Sequence, residues 1–85
     1  MKLSYDPRYN IAYIRFKEEV VEGVRSIQVS DAVIVDIAPD GTIYGIELLN
    51  ASEILGRDAK LTAVNEETGE QVECPLPSFS SSSRK

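Results

Sequence analysis

The side chains best placed for chemistry in this sequence are carboxylates: Asp6, Asp36, Asp40 and Glu47 fall on strand-like or turn-like segments that neighbouring strands can bring together. Gathered carboxylates share protons or form an oxygen-rich site for magnesium or calcium. Each also has a plain local use. Turn aspartates accept hydrogen bonds from nearby backbone, which accounts for Asp6 and Asp40, while Asp36 and Glu47 can stay exposed or pair with Arg15 and Arg25. Tyr5, Tyr13 and Tyr44 offer either a stacking platform for bases and sugars or cross-strand packing with the hydroxyl at the rim. Packing is the ordinary use of strand tyrosines, and it is expected here. Cys74 lies next to Pro75 and near Glu70 and Glu73, acidic neighbours that work against a reactive thiolate.

Several chemistries are missing their residues. The sequence has no histidine, which removes the usual general base at neutral pH, the Ser-His and Cys-His pairs and the commonest metal ligand. Its five glycines are scattered singly, so no phosphate-cradling loop is formed. A lone cysteine allows neither an internal disulfide nor a thiolate metal site by itself. The expectation is a non-enzymatic chain with no cofactor.

Net charge is −5 over 85 residues, and Arg8, Arg15, Lys17 and Arg25 are dispersed rather than clustered, which disfavours binding to nucleic acid or anionic membranes. With no signal peptide and no apolar run near ~20 residues, a cytoplasmic location is expected. A chain this short carries one domain whose core only just offsets the entropy of ordering it.

The elements that must position these residues follow from period-two alternation and turn chemistry. Strands are expected at Lys2–Tyr5, Ile11–Phe16, Val24–Val29, Ala32–Ala38 and Thr42–Leu49. Asp6–Asn10 and Pro39–Gly41 supply turns between them. The run Val33-Ile34-Val35 predicts burial on both faces and a central place for the fourth strand. Asn50 or Ser52 is suited to cap a short helix through Leu55, with Ala51, Ile54 and Leu55 on its buried face. Beyond Gly56, Leu61–Val64 and Gln71–Cys74 flank the turn-like Asn65–Gly69, which predicts a terminal hairpin; a helix over Asp58–Glu67 is the rival, disfavoured by Thr62, Val64 and Asn65. The fold class is therefore α+β, mainly β, an antiparallel meander of about five short strands with one short helix. Residues 1–56 form the core domain, 57–77 an appendage and 78–85 a flexible Ser-rich tail.

Tyr5-Asp6-Pro7, Tyr13-Ile14-Arg15-Phe16, Val33-Ile34-Val35-Asp36, Asp40-Gly41 and Gly45-Ile46-Glu47 followed by Ala51-Ser52 occur in this order within the first 55 residues. In this the chain resembles the bacterial and archaeal family known as domain of unknown function 2283, with Asn10 standing where that family's pattern often has Asp. The resemblance implies a compact β-rich fold with a short helix and no particular activity. It also implies, by loose analogy with small proteins encoded beside a short toxin-like partner, an antitoxin-like role.

One sheet in so short a chain cannot cover both its faces with one helix. If Val33, Val35 and Ile37 face the helix, then Ile34 points away, with Ile11, Tyr13 and Leu49 as candidates to join it on an interaction face. The expected function is a self-associating protein-interaction domain, a homodimer, with the acidic segment Glu66–Glu73 suited to a small basic toxin-like partner. The alternative is a small-ligand or divalent-cation domain built on the four carboxylates, and the rival to self-association is a terminal hairpin folded back over the second face.

Overall fold

The computed structural model describes residues 1–76; the expected Ser-rich tail over 78–85 lies outside the described residues. Five strands, β1 (Lys2–Asp6), β2 (Ile11–Arg15), β3 (Arg25–Ser30), β4 (Val33–Ile37) and β5 (Ile43–Leu49), form one antiparallel sheet in the order β1-β2-β5-β4-β3. A five-residue helix, α1 (Ala51–Leu55), follows β5. Strands β6 (Lys60–Val64) and β7 (Gln71–Pro75) make a separate antiparallel hairpin. The chain is mainly β with one short helix, as the sequence predicts, and the segment after Gly56 is the hairpin rather than the rival helix.

The sheet is a meander over β3, β4 and β5, after which β5 pairs with β2. The centre is thus β5, and β4 lies one place from the edge, contrary to the expectation from its β-branched run. Side-chain composition reports that a strand packs well on its faces but not which strands flank it. The link from β2 to β3 runs around the end of the sheet, where Gly23 lies beside Pro39.

Register assigns the two faces. Ala12 pairs with Tyr5 and Leu48, Ile14 with Leu3 and Ile46, Val35 with Ile27 and Ile46, and Val33 with Leu48. These side chains, with Ile37, make one face that is apolar almost throughout. The other face carries Lys2, Ser4, Tyr13, Arg15, Ser26, Gln28, Ile34, Asp36 and Glu47, with Ile11 opposite Leu49 at one end. Two irregularities modify this pattern. Tyr44 is an extra residue in β5 opposite the step from Asp36 to Ile37, and Val29 is an extra residue in the edge strand β3. Bulges of this kind re-aim a side chain and increase local twist.

Packing within the sheet is lateral. Extensive contacts join each strand to its hydrogen-bonded neighbours, and neither α1 nor the hairpin packs extensively against the strands of the sheet. In consequence the only buried apolar residues among those described are Ala12, Ala38 and Ala51, while Leu3, Ile14, Val33, Val35, Ile37, Ile46 and Leu48 stay partly exposed. The helix was expected to cover Val33, Val35 and Ile37. At five residues it is about 7.5 Å long, too short to blanket five strands.

Candidate functional site

Three local constellations carry the polar chemistry of the fold. The first is built around Asn10, which closes the β1–β2 turn in a left-handed conformation with φ of 57°, one that Asn tolerates better than most residues. Its carbonyl accepts the Ala51 N–H at 2.9 Å. Its side-chain Oδ1 accepts the Ser52 N–H at 3.0 Å and the Tyr5 hydroxyl at 2.8 Å, and its Nδ2 donates to Ser52 Oγ at 3.0 Å. Asn10 therefore caps α1 from 42 residues away in sequence. Asn50 occupies the N-cap position, but its side chain makes no capping hydrogen bond, contrary to the local cap expected from the sequence. Asn50 instead turns the chain with its own positive φ of 56°.

The second constellation lies on the polar face. The Tyr13 side chain crosses Gly45 of β5, and its hydroxyl donates to Asp36 Oδ2 of β4 at 2.7 Å, while Ser26 Oγ of β3 donates to Asp36 Oδ1 at 2.6 Å. One carboxylate thus links three strands, β2, β4 and β3, across the intervening β5. Gly45 is what makes this path open: a Cβ there would collide with the Tyr13 ring and hydroxyl and come within 2.8 Å of the Ile14 carbonyl oxygen. Burial, the hydrogen bond to Asp36 and the negative charge of Asp36 together push the Tyr13 phenol well above its ordinary range.

Beside Tyr13, the bulged Tyr44 joins Lys2, Ser4 and Arg15 around a shallow depression of about 210 Å³. Lys2 stands directly opposite Arg15, and Arg15 Nη2 donates to the Glu18 carbonyl at 3.1 Å. The depression is smaller than the roughly 300 Å³ at which enclosed small-molecule sites begin.

The third constellation is the turns. Asp6 accepts Arg8 N–H at 3.0 Å and pairs with its guanidinium at 3.2 Å, which holds the Asp6 carboxyl below its usual range. Asp40 accepts the hydroxyl and backbone N–H of Thr42 at 2.6 and 3.0 Å, and these lower its pKa too.

The four sequence-identified carboxylates thus go to different places. Asp36 and Glu47 share the polar face with Tyr13 near both, Asp6 is engaged in its own turn, and Asp40 is in the β4–β5 turn. Among the described residues no group of three or more acidic, cysteine or histidine side chains is placed to hold a metal ion. The tyrosines divide as well: Tyr13 and Tyr44 flank the depression, whereas Tyr5 is on the opposite face bonded to Asn10. Ile11, Tyr13, Ile34 and Leu49 do share one face, as their alternation predicts, but that face is largely polar. The roles of Asn10 and Gly45 are not signalled by their own neighbourhoods in the sequence, because each depends on a strand pairing made elsewhere.

No helix among the described residues is long and apolar enough to cross a membrane. Neither the curated proteins nor the solved structures contain a match to the chain. Residues 2–52 match the model of a family described as "Protein of unknown function (DUF2283)", a span that holds every strand of the five-stranded sheet and the start of α1. With more than half of its length so matched, the chain belongs to this family of unknown function.

Proposed function

We propose that this chain is a non-enzymatic interaction domain that self-associates through the apolar face of its five-stranded sheet. The observation that carries the proposal is the partial exposure of Leu3, Ile14, Val33, Val35, Ile37, Ile46 and Leu48 on one continuous surface, with no large apolar side chain fully buried among the described residues. Five strands about 4.8 Å apart and about 17 Å long present a face of roughly 400 Å², comparable to the largest apolar patch of a typical monomer, which is often functional. The occupant is a second copy of the chain, since the contact is between uncharged side chains and tolerates two partners of equal net charge. Sedimentation over a range of concentrations tests this, with a dimer expected at micromolar concentration. Val35→Lys should turn it into a monomer that keeps its β circular dichroism, and a wild-type chain that stays monomeric throughout overturns the proposal.

A second interaction, with a small basic toxin-like protein, is supported by the hairpin tip. Glu66, Glu67 and Glu70 are exposed there and make no ion pair among the described residues. Such a cluster steers a basic partner. Co-expression with the product of the neighbouring gene should give a complex lost in the Glu66→Lys/Glu67→Lys/Glu70→Lys variant; separate elution of the two proteins removes this part. The cation-binding alternative is less well supported, because Asp6, Asp36 and Asp40 are each engaged by neighbouring side chains.

A further inference from the structure

The β6–β7 hairpin is amphipathic. Leu61 pairs with Cys74 and Ala63 with Val72, so these four side chains make one face of the ribbon uncharged throughout, while the other carries Lys60, Thr62, Val64, Gln71, Glu73 and Pro75, with Lys60 and Glu73 paired at 3.5 Å. Leu61 and Val72 are 46% and 60% exposed, and all ten hairpin residues are exposed. Each strand of the ribbon packs extensively only against the other. An isolated two-stranded hairpin is at best marginally stable in water. An exposed apolar ribbon face and a partly exposed apolar sheet face therefore occur in the same chain, joined through Asn50, α1 and residues 56–59.

We infer that the hairpin of one chain lies with its Leu61–Val72 face on the apolar sheet face of a second copy, which returns the same contact. The inference rests on the self-association proposed above and specifies what covers the sheet. Reciprocal exchange is a two-fold arrangement that closes on itself, and it covers both kinds of exposed apolar surface at once. The charged groups of the hairpin remain outside the contact, on its far face and at its tip. Because each chain carries a net charge of −5, screening by salt should tighten the association.

Cys74 makes the arrangement directly testable, since it is the only cysteine in the sequence and lies on the apolar face of the ribbon. A full-length chain carrying Cys74→Ser with a single new cysteine, at Ile14, Val33, Val35 or Ile46 in turn, is mixed with a differently tagged wild-type chain and oxidised. Disulfides form only between Cα atoms within about 7 Å, so a disulfide between the two differently tagged chains at one or more of these positions is expected. Val72→Lys in the full-length chain should raise the dimer dissociation constant at least tenfold while leaving its β circular dichroism unchanged. If the chain is dimeric but the new cysteines link only to one another, the sheets meet directly; arm exchange is overturned and self-association stands. If Val35→Cys in a chain retaining Cys74 closes an internal disulfide in a monomer, the hairpin folds back on its own sheet and arm exchange is again overturned. A wild-type monomer at every concentration overturns both.

Discussion

Asn10 and Gly45 are small side chains with large structural consequences. Asn10 holds α1 and Tyr5 at once, so Asn10→Ala should lose three side-chain hydrogen bonds and strain a positive φ, costing about 2–3 kcal/mol in urea denaturation. Asn10→Gly should recover the backbone part alone. Gly45→Ala forces Tyr13 off its path to Asp36 and should cost about 1–3 kcal/mol, with Tyr13→Phe costing less because the ring still packs. Tyr13 also fixes an alkaline limit. The folded chain retains its phenol proton above the ordinary value of 10.0, so this contribution is complete below about pH 10 and is lost as the pH rises further. Melting temperature should fall on that limb, and Tyr13→Phe should flatten the fall.

At the level of elements, the sheet and the hairpin differ in what holds them. Sheet strands have neighbours on one or both sides and β5 is paired along both edges, whereas β6 and β7 have only each other. Hydrogen exchange should therefore separate the two: under dilute conditions the hairpin amides exchange far faster than those of β5, and they gain protection as concentration rises if a second copy covers them. The turn is not the weak point, because Asn65 Oδ1 accepts the Glu67 and Thr68 N–H groups at 3.0 and 3.3 Å and Gly69 takes the positive φ of 80°. The missing element is a packing surface. The edge strand β3, exposed at every residue, has a bulge at Val29, an irregularity that discourages unplanned edge pairing.

For the whole molecule, stability and association are expected to be one quantity. Few large side chains are buried in the single chain, so melting temperature should rise with protein concentration, as it does whenever binding selects the native state. The acid side has its own sign. Asp6, Glu18 and Asp40 are all lowered by bonded partners, respectively Arg8, the N-terminal amine and Thr42, so their contributions are present above the ordinary carboxylate range and are lost as the pH falls through it and below. Glu18 and Asp40 are solvent-exposed and Asp6 is partly so, and the acid-induced fall in melting temperature should be shallow and reduced further by salt.

Period-two alternation and turn residues were enough to place the strands, the helix and the hairpin, because the strand pleat and the tight turn are dictated by residues close in sequence. Within the fourth strand, Val33, Val35 and Ile37 could be assigned to one face and Ile34 to the other on that ground alone, whereas Ile11, Tyr13 and Leu49 join Ile34 only through strand pairing. Strand order could not be read the same way: the pairing of β2 with β5 joins segments some 30 residues apart, and no local pattern names a partner across that distance. The tertiary structure therefore decided that β5 is central, that Gly45 is the opening for Tyr13, that Asn10 caps α1, and that the helix leaves most of the apolar face partly exposed. The carboxylates that first pointed to chemistry are divided by the same topology between turns and a sheet-bracing hydrogen bond, because residues that alternation places on one kind of surface meet only where strand pairing brings them together.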